Sequence, residues 1–178
     1  MRGMRGVTWI HGVALATACA WLASCGSVDR NHRYIPAKKV WTKVKQESAK
    51  HGLDAHFVYA ICHAESSLDA NAETKVARGM MQMTEAAWSD VTERHYRLAF
   101  NWEINVESGV SYLGKLKGML ERANHFSYPR LAASYRWGFS RLRKNGFLVS
   151  KLPTPRNKIY QKILIMILQN FVINFQKL

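Results

Sequence analysis

Glu65-Ser-Ser-Leu-Asp-Ala-Asn-Ala-Glu-Thr-Lys-Val-Ala-Arg-Gly-Met-Met-Gln82 places a carboxylate ahead of a long polar connection that ends at Gly79. The residues before it, Asp54-Ala-His-Phe-Val-Tyr-Ala-Ile-Cys-His-Ala64, predict a helix with Asp54 as its N-cap. Phe57, Ile61 and Glu65 follow one another at four-residue spacing, so the carboxylate continues an apolar stripe. In the last helical turn it meets the negative end of the macrodipole, and apolar neighbours disfavour its charged form. Both effects push its pKa upward, which is how a general acid is made.

Helical periodicity extends along most of the chain. Val40 to Gly52 predicts an opening amphipathic helix carried by Val40, Trp41 and Val44 and ended by Gly52. Ser66 to Gly79 is a polar connection of a length that is unusual unless functional, and it is expected to wall a cleft. Met80 to Val91 returns to helical spacing through Met80, Met83, Ala87 and Val91. A longer helix is expected over about Ile104 to Ala123, with Val106, Val110, Leu113 and Leu120 on one stripe and Gly109, Tyr112, Leu116 and Met119 beside it. Pro129 can open the next helix, and Lys158 to Phe175 closes the chain. In that closing segment Lys162, Gln169 and Asn170 interrupt the apolar run, which favours a core helix over a membrane span. Alternating strand patterns are not evident, so a mostly α, single-domain fold is expected.

The amino terminus is different. Arg2 and Arg5 precede an apolar run from Val7 to Ala23 that reads as a secretory signal. Residues 25–39, polar and basic with Pro36, suit a linker, and 40–178 the folded domain. Cys19 lies in the signal and Cys62 reads as a small core residue, since its neighbour His63 points elsewhere on a helix. His56 and His63 share a face without a carboxylate at ligand spacing, so neither a metal nor a cofactor is expected. The net charge of +14 falls to +12 once residues 1–24, with Arg2 and Arg5, are removed. Such a chain gathers near polyanions. Lys and Arg are scattered except at Arg141-Leu-Arg-Lys144, and no nucleic-acid module is recognisable, so no nucleic-acid partner is expected.

The combination Glu65-Ser66-x-Leu68, Ala72, Thr74 and Gly79-Met-Met-Gln82 resembles the signature of lysozyme-like lytic transglycosylases of the soluble lytic transglycosylase (SLT) type. Asn105, Gly109 and Tyr112-Leu113 resemble the family's next helix, Ala133-Ser-Tyr-Arg-Trp-Gly138 its Ala-Ala-Tyr-Asn-x-Gly segment, and Leu152-Pro153 with Tyr160 loosely its closing helix. The resemblance covers about Val40 to Leu168 and implies a lysozyme-like fold. It implies Glu65 as the single catalytic acid and base, acting on peptidoglycan glycan strands between N-acetylmuramic acid and N-acetylglucosamine. It further implies Ser66 orienting the carboxyl region, Thr74 offering the hydroxyl of the family's serine, Gln82 bonding a sugar, Met81 forming an apolar wall under a ring, and Tyr135 placing its hydroxyl near Glu65. Leu22-Ala23-Ser24-Cys25 resembles a lipobox, implying lipidation at Cys25, membrane attachment and, with Gly26 next, a periplasmic outer-membrane lipoprotein.

Departures from the pattern are Ala70 for the usual proline, Val76 for an often small residue, and Arg136 for asparagine. A guanidinium beside Glu65 would oppose the acid role by favouring the carboxylate. A hydrolytic muramidase of the same fold and a catalytically weak wall-binding lipoprotein therefore stand as alternatives. The biological setting stays open between wall turnover and clearing a path for a secretion apparatus or pilus.

Overall fold

A computed structural model describes residues 33–165. The expected signal segment and Cys25 lie outside them, as does the part of the expected closing helix beyond Ile165. The described chain folds into α1 (Ala37–Lys50), α2 (Ala55–Ser66), a short hairpin of β1 (Ala77–Arg78) and β2 (Met83–Thr84), then α3 (Glu85–Ser89), α4 (Trp102–Arg122), α5 (Tyr128–Trp137), α6 (Phe139–Lys144) and α7 (Lys158–Ile165). Single 3₁₀ turns at Tyr96–Phe100 and Val149–Lys151 join them. Among the described residues no helix is long and apolar enough to cross a membrane.

Local chemistry sets the helix starts. Asp54 caps α2 by accepting from the Phe57 N–H at 3.0 Å, and Asn101 caps α4 through the Ile104 N–H at 3.1 Å. Ser127 caps α5, with Pro129 in its first turn, where the missing N–H is not needed. The long α4 forms the spine: Val106, Val110, Leu113 and Leu120 are fully buried, and α1, α3 and α5 pack around it. Helix α2 runs through the centre of the same core, with Val58, Ile61 and Cys62 fully buried, and α7 covers its carboxyl end from the other side.

Two expectations are corrected. The helix expected over Met80 to Val91 is a hairpin strand followed by the single turn of α3. Met80, Met81 and Met83 are buried, which made a burial pattern look helical, but Gly79 (φ 78°) and Gln82 (φ 48°) force a reversal there. The linker expected over 25–39 also overlaps the folded part. Arg33 pairs with Asp69 at 2.6 Å, Tyr34 bridges Asp69 in antiparallel fashion, Ile35 is buried, and α1 opens at Ala37 rather than Val40.

Candidate active site

Glu65 sits one residue before the carboxyl end of α2, where Ser67 (φ 56°) and Leu68 (φ 66°) turn the chain sharply into the polar connection. Its side chain is 11 % exposed. The Tyr160 hydroxyl, from α7, donates to Oε1 of Glu65, and Arg136 Nη1, from α5, lies 3.7 Å from Oε2. That guanidinium also stacks over the Tyr160 ring, 4.7 Å from its centroid. Three helices thus converge on one carboxyl group.

Burial is the largest influence on this group and raises its pKa; the Tyr160 hydrogen bond and the Arg136 charge both lower it, and burial prevails. The opposition expected from Arg136 is therefore real but insufficient. At 3.7 Å and with a third of its side chain exposed, the guanidinium shares its field with solvent. The same dry surroundings push the Tyr160 and Tyr135 hydroxyls well above their ordinary value, and the Cys62 thiol, one turn back on α2, up to about 12. Cys62 is thus an inert core thiol.

Glu65 faces a cavity of about 370 Å³ lined by Arg33, Ala64, Ser66, Ser67, Asp69, Ala72, Glu73, Thr74, Gln82 and Asn157. The expected cleft wall, the polar stretch from Ser66 to Gly79, supplies six of these. Ser66, Thr74 and Gln82 all line this cavity. The Ser66 hydroxyl donates back to the Cys62 carbonyl at 3.4 Å, and Thr74 Oγ1 accepts from the Ala77 N–H at 3.0 Å, tightening the loop that precedes β1. Gln82 donates both amide protons inside the protein, to the Ala72 and Gly79 carbonyls at 3.0 Å each. Its side-chain oxygen is what it can offer a ligand.

Met81 and Tyr135 are placed differently. Met81 is fully buried, its sulfur against the Cα of Gly109 so closely that a β-carbon there would stand 2.4 Å from it. It is core, not the floor of a sugar site. The Tyr135 hydroxyl donates to the Met81 carbonyl at 2.7 Å and lies 3.3 Å from the Met83 sulfur, so its proton is spent on the hairpin rather than on Glu65. The Tyr135 hydroxyl still lies close enough to Glu65 to feel its charge, but the hydrogen bond to the carboxyl group comes from Tyr160.

Further groups complete the site. Asn157 donates to the Ala64 carbonyl at 3.0 Å, satisfying one of the free acceptors at the end of α2, while its Oδ1 accepts from the Ile159 and Tyr160 N–H groups and caps α7. One side chain therefore ties the helix carrying Glu65 to the helix carrying Tyr160. Buried Asn105 does the equivalent for the hairpin turn: Oδ1 accepts from the Met81 N–H at 2.7 Å, and Nδ2 donates to the Arg78 and Ala99 carbonyls. A sequence signal existed for Asn157 and Tyr160, an Asx cap with a tyrosine three residues into an apolar stripe; that they meet α2 needed the tertiary structure. The other two acids of the cavity are each held by an arginine, Asp69 by Arg33 at 2.6 Å and Glu73 by Arg78 at 3.1 Å. Among the described residues no cluster of His, Cys, Asp and Glu could hold a metal ion.

The Transglycosylase SLT domain family matches residues 42–154. A protein described as membrane-bound lytic murein transglycosylase F, from Desulfosudis oleivorans, is 30 % identical over 108 residues, covering 56 % of this chain and 22 % of that protein. The lytic transglycosylase Slt of Pseudomonas aeruginosa, solved as an inactive glutamate-to-glutamine mutant, superimposes with a TM-score of 0.52 at 17 % identity, over 69 % of this chain and 20 % of that one. The fold is shared. The chain spans about a fifth of the length of these relatives.

Proposed function

The chain belongs to the Transglycosylase SLT domain family, and from that premise we propose that it is an exported lytic transglycosylase that cleaves peptidoglycan glycan strands without water. The observation that carries this reading is the Glu65 carboxyl group, buried at the edge of an open cavity with its pKa raised. Tyr160 engages Oε1, and Arg136 stays beyond hydrogen-bond reach of Oε2. The transferable proton therefore belongs on Oε2. Glu65 gives it to the glycosidic oxygen between N-acetylmuramic acid and N-acetylglucosamine, while the acetamido group of the muramyl sugar steadies the cationic centre. The carboxylate so formed is held by the Tyr160 hydroxyl and the Arg136 charge. It then takes the proton of the sugar's C6 hydroxyl as that oxygen closes on C1, leaving a 1,6-anhydromuramyl end.

The placement of Asp69 and Glu73 bears on the alternative. Both line the Glu65 cavity, so a hydrolytic muramidase with a second carboxylate would draw on one of them. Each is instead paired with an arginine, which spends it on structure. Glu65 is left to serve as acid and base in turn. On this reading Ser66, Thr74 and the Gln82 oxygen, which line the same cavity, bond the sugar.

The setting that goes with this chemistry is the periplasm, with a lipid on Cys25 as the tether; the relative in Desulfosudis oleivorans is described as membrane-bound. Mass analysis of wall sacculi digested by the protein tests the reaction. Anhydromuramyl ends are expected, and reducing muramyl ends alone would overturn the proposal in favour of hydrolysis.

A further inference from the structure

After Glu121 the sequence contains no aspartate or glutamate, yet it carries 11 of the 26 lysines and arginines. Most of these lie on or beside α6 and α7, which both pack on α5. Arg141, Arg143 and Lys144 on α6, Lys151, and Arg156, Lys158 and Lys162 at and along α7 are all exposed. Among the described residues none of the seven has a carboxylate partner within 4.0 Å, whereas several cations of residues 33–121 are paired: Lys43 and Lys50 with Glu47, Arg78 with Glu73, Arg94 with Glu107, Lys115 with Asp90; Lys38, Lys39, Lys45 and Lys75 there are exposed without such a partner.

The same part of the chain exposes large apolar side chains. Ile165 is 80 % and Leu148 45 % exposed. On α7 the spacing Lys158, Lys162, Ile165 puts two cations and the isoleucine on one outward face, while Tyr160 and Ile163 point into the core. A soluble polyanion rewards the lysines and gives nothing for the isoleucine. A bilayer with acidic headgroups rewards both, since cations meet phosphate while an apolar side chain enters the acyl boundary. We propose that the α5–α7 lobe is a docking surface for anionic lipid bilayers. It acts independently of any lipid on Cys25 and of the chemistry at Glu65. Because Tyr160, on the inner face of α7, is bonded to Glu65, docking would fix the catalytic cavity relative to the bilayer.

Vesicle co-sedimentation of the full chain tests this, with phosphatidylcholine vesicles compared with vesicles containing one-third phosphatidylglycerol. The anionic vesicles are expected to bind roughly tenfold more tightly, with the increment lost at high salt. The variant R143E/K144E/K158E/K162E should lose the increment. K38E/K39E/K45E/K75E, with the same change in net charge on exposed lysines elsewhere, should keep it. Ile165→Ser, at a position too exposed to threaten folding, should weaken binding to anionic vesicles while leaving binding to polyphosphate unchanged. Equal losses in the two charge variants would overturn the proposal, showing net charge alone to be at work. So would an unaffected Ile165→Ser variant, which would assign the surface to a soluble polyanion such as a wall polymer or a nucleic acid.

Discussion

At the scale of single residues, the central balance is between burial and two favourable partners around Glu65. Replacing Glu65 by Gln removes both proton donor and acceptor, and turnover is expected to fall by about 10³-fold or more, measured as release of muropeptides from sacculi. The same change should stabilise the fold at neutral pH. A carboxyl group whose folded-state pKa is raised binds its proton more tightly when folded, so its contribution is favourable below the ordinary pKa and is lost as pH rises through the raised one. Urea unfolding at pH 4 and pH 7.5 should therefore show Glu65→Gln gaining on the wild type as pH increases. Arg136 opposes the acid role. Arg136→Asn is expected to move the basic limb of the pH profile of kcat/KM to higher pH, whereas Arg136→Lys, which keeps a charge, should move it less. An unchanged limb in Arg136→Asn would mean that the guanidinium does not influence Glu65.

At the scale of elements, the site is held by two asparagines that sew helix and hairpin ends together. Asn157→Ala removes the cap of α7 and a partner of the α2 carbonyls; a loss of about 1 kcal/mol in urea unfolding is expected, together with reduced turnover as Tyr160 loses its anchor. The hairpin turn depends on Gly79. Its φ of 78° favours glycine, and a β-carbon there would stand 2.0 Å from the Ala99 carbonyl oxygen and 2.3 Å from Asn105 Nδ2. Gly79→Ala should cost at least about 3 kcal/mol and lower the thermal midpoint accordingly. Much of this was legible in the sequence where a local rule decides it. The Asp54 cap, the α2 stripe that ends in Glu65, the α4 spine and the Pro129 start all follow from short-range chemistry. The hairpin was not, because Met80, Met81 and Met83 are buried by the neighbouring helices rather than by helical period, and two left-handed residues override the apparent spacing.

At the scale of the whole molecule, the sequence shows the parts of the site more readily than their meeting. The carboxylate, the loop that walls the cavity and the departure at Arg136 are visible as residues. Tyr160 lies 95 positions from Glu65, and only the packing of α7 across the end of α2 makes it the hydroxyl partner that was sought at Tyr135. The charge distribution differs: the excess of cations after Glu121 is already visible in the sequence, and the structure adds that it falls on the exposed faces of α6 and α7. The site itself comes from long-range packing around one dry carboxyl group. Following the Glu65 side-chain carboxyl carbon by NMR as pH is varied tests that group directly. A titration midpoint clearly above the ordinary value of 4.5 is expected, and it should rise further in Arg136→Asn. A midpoint at or below 4.5 would show a carboxyl group with no raised proton affinity, ionised at neutral pH like an ordinary surface glutamate, and contradict the proton donor on which the proposed reaction rests.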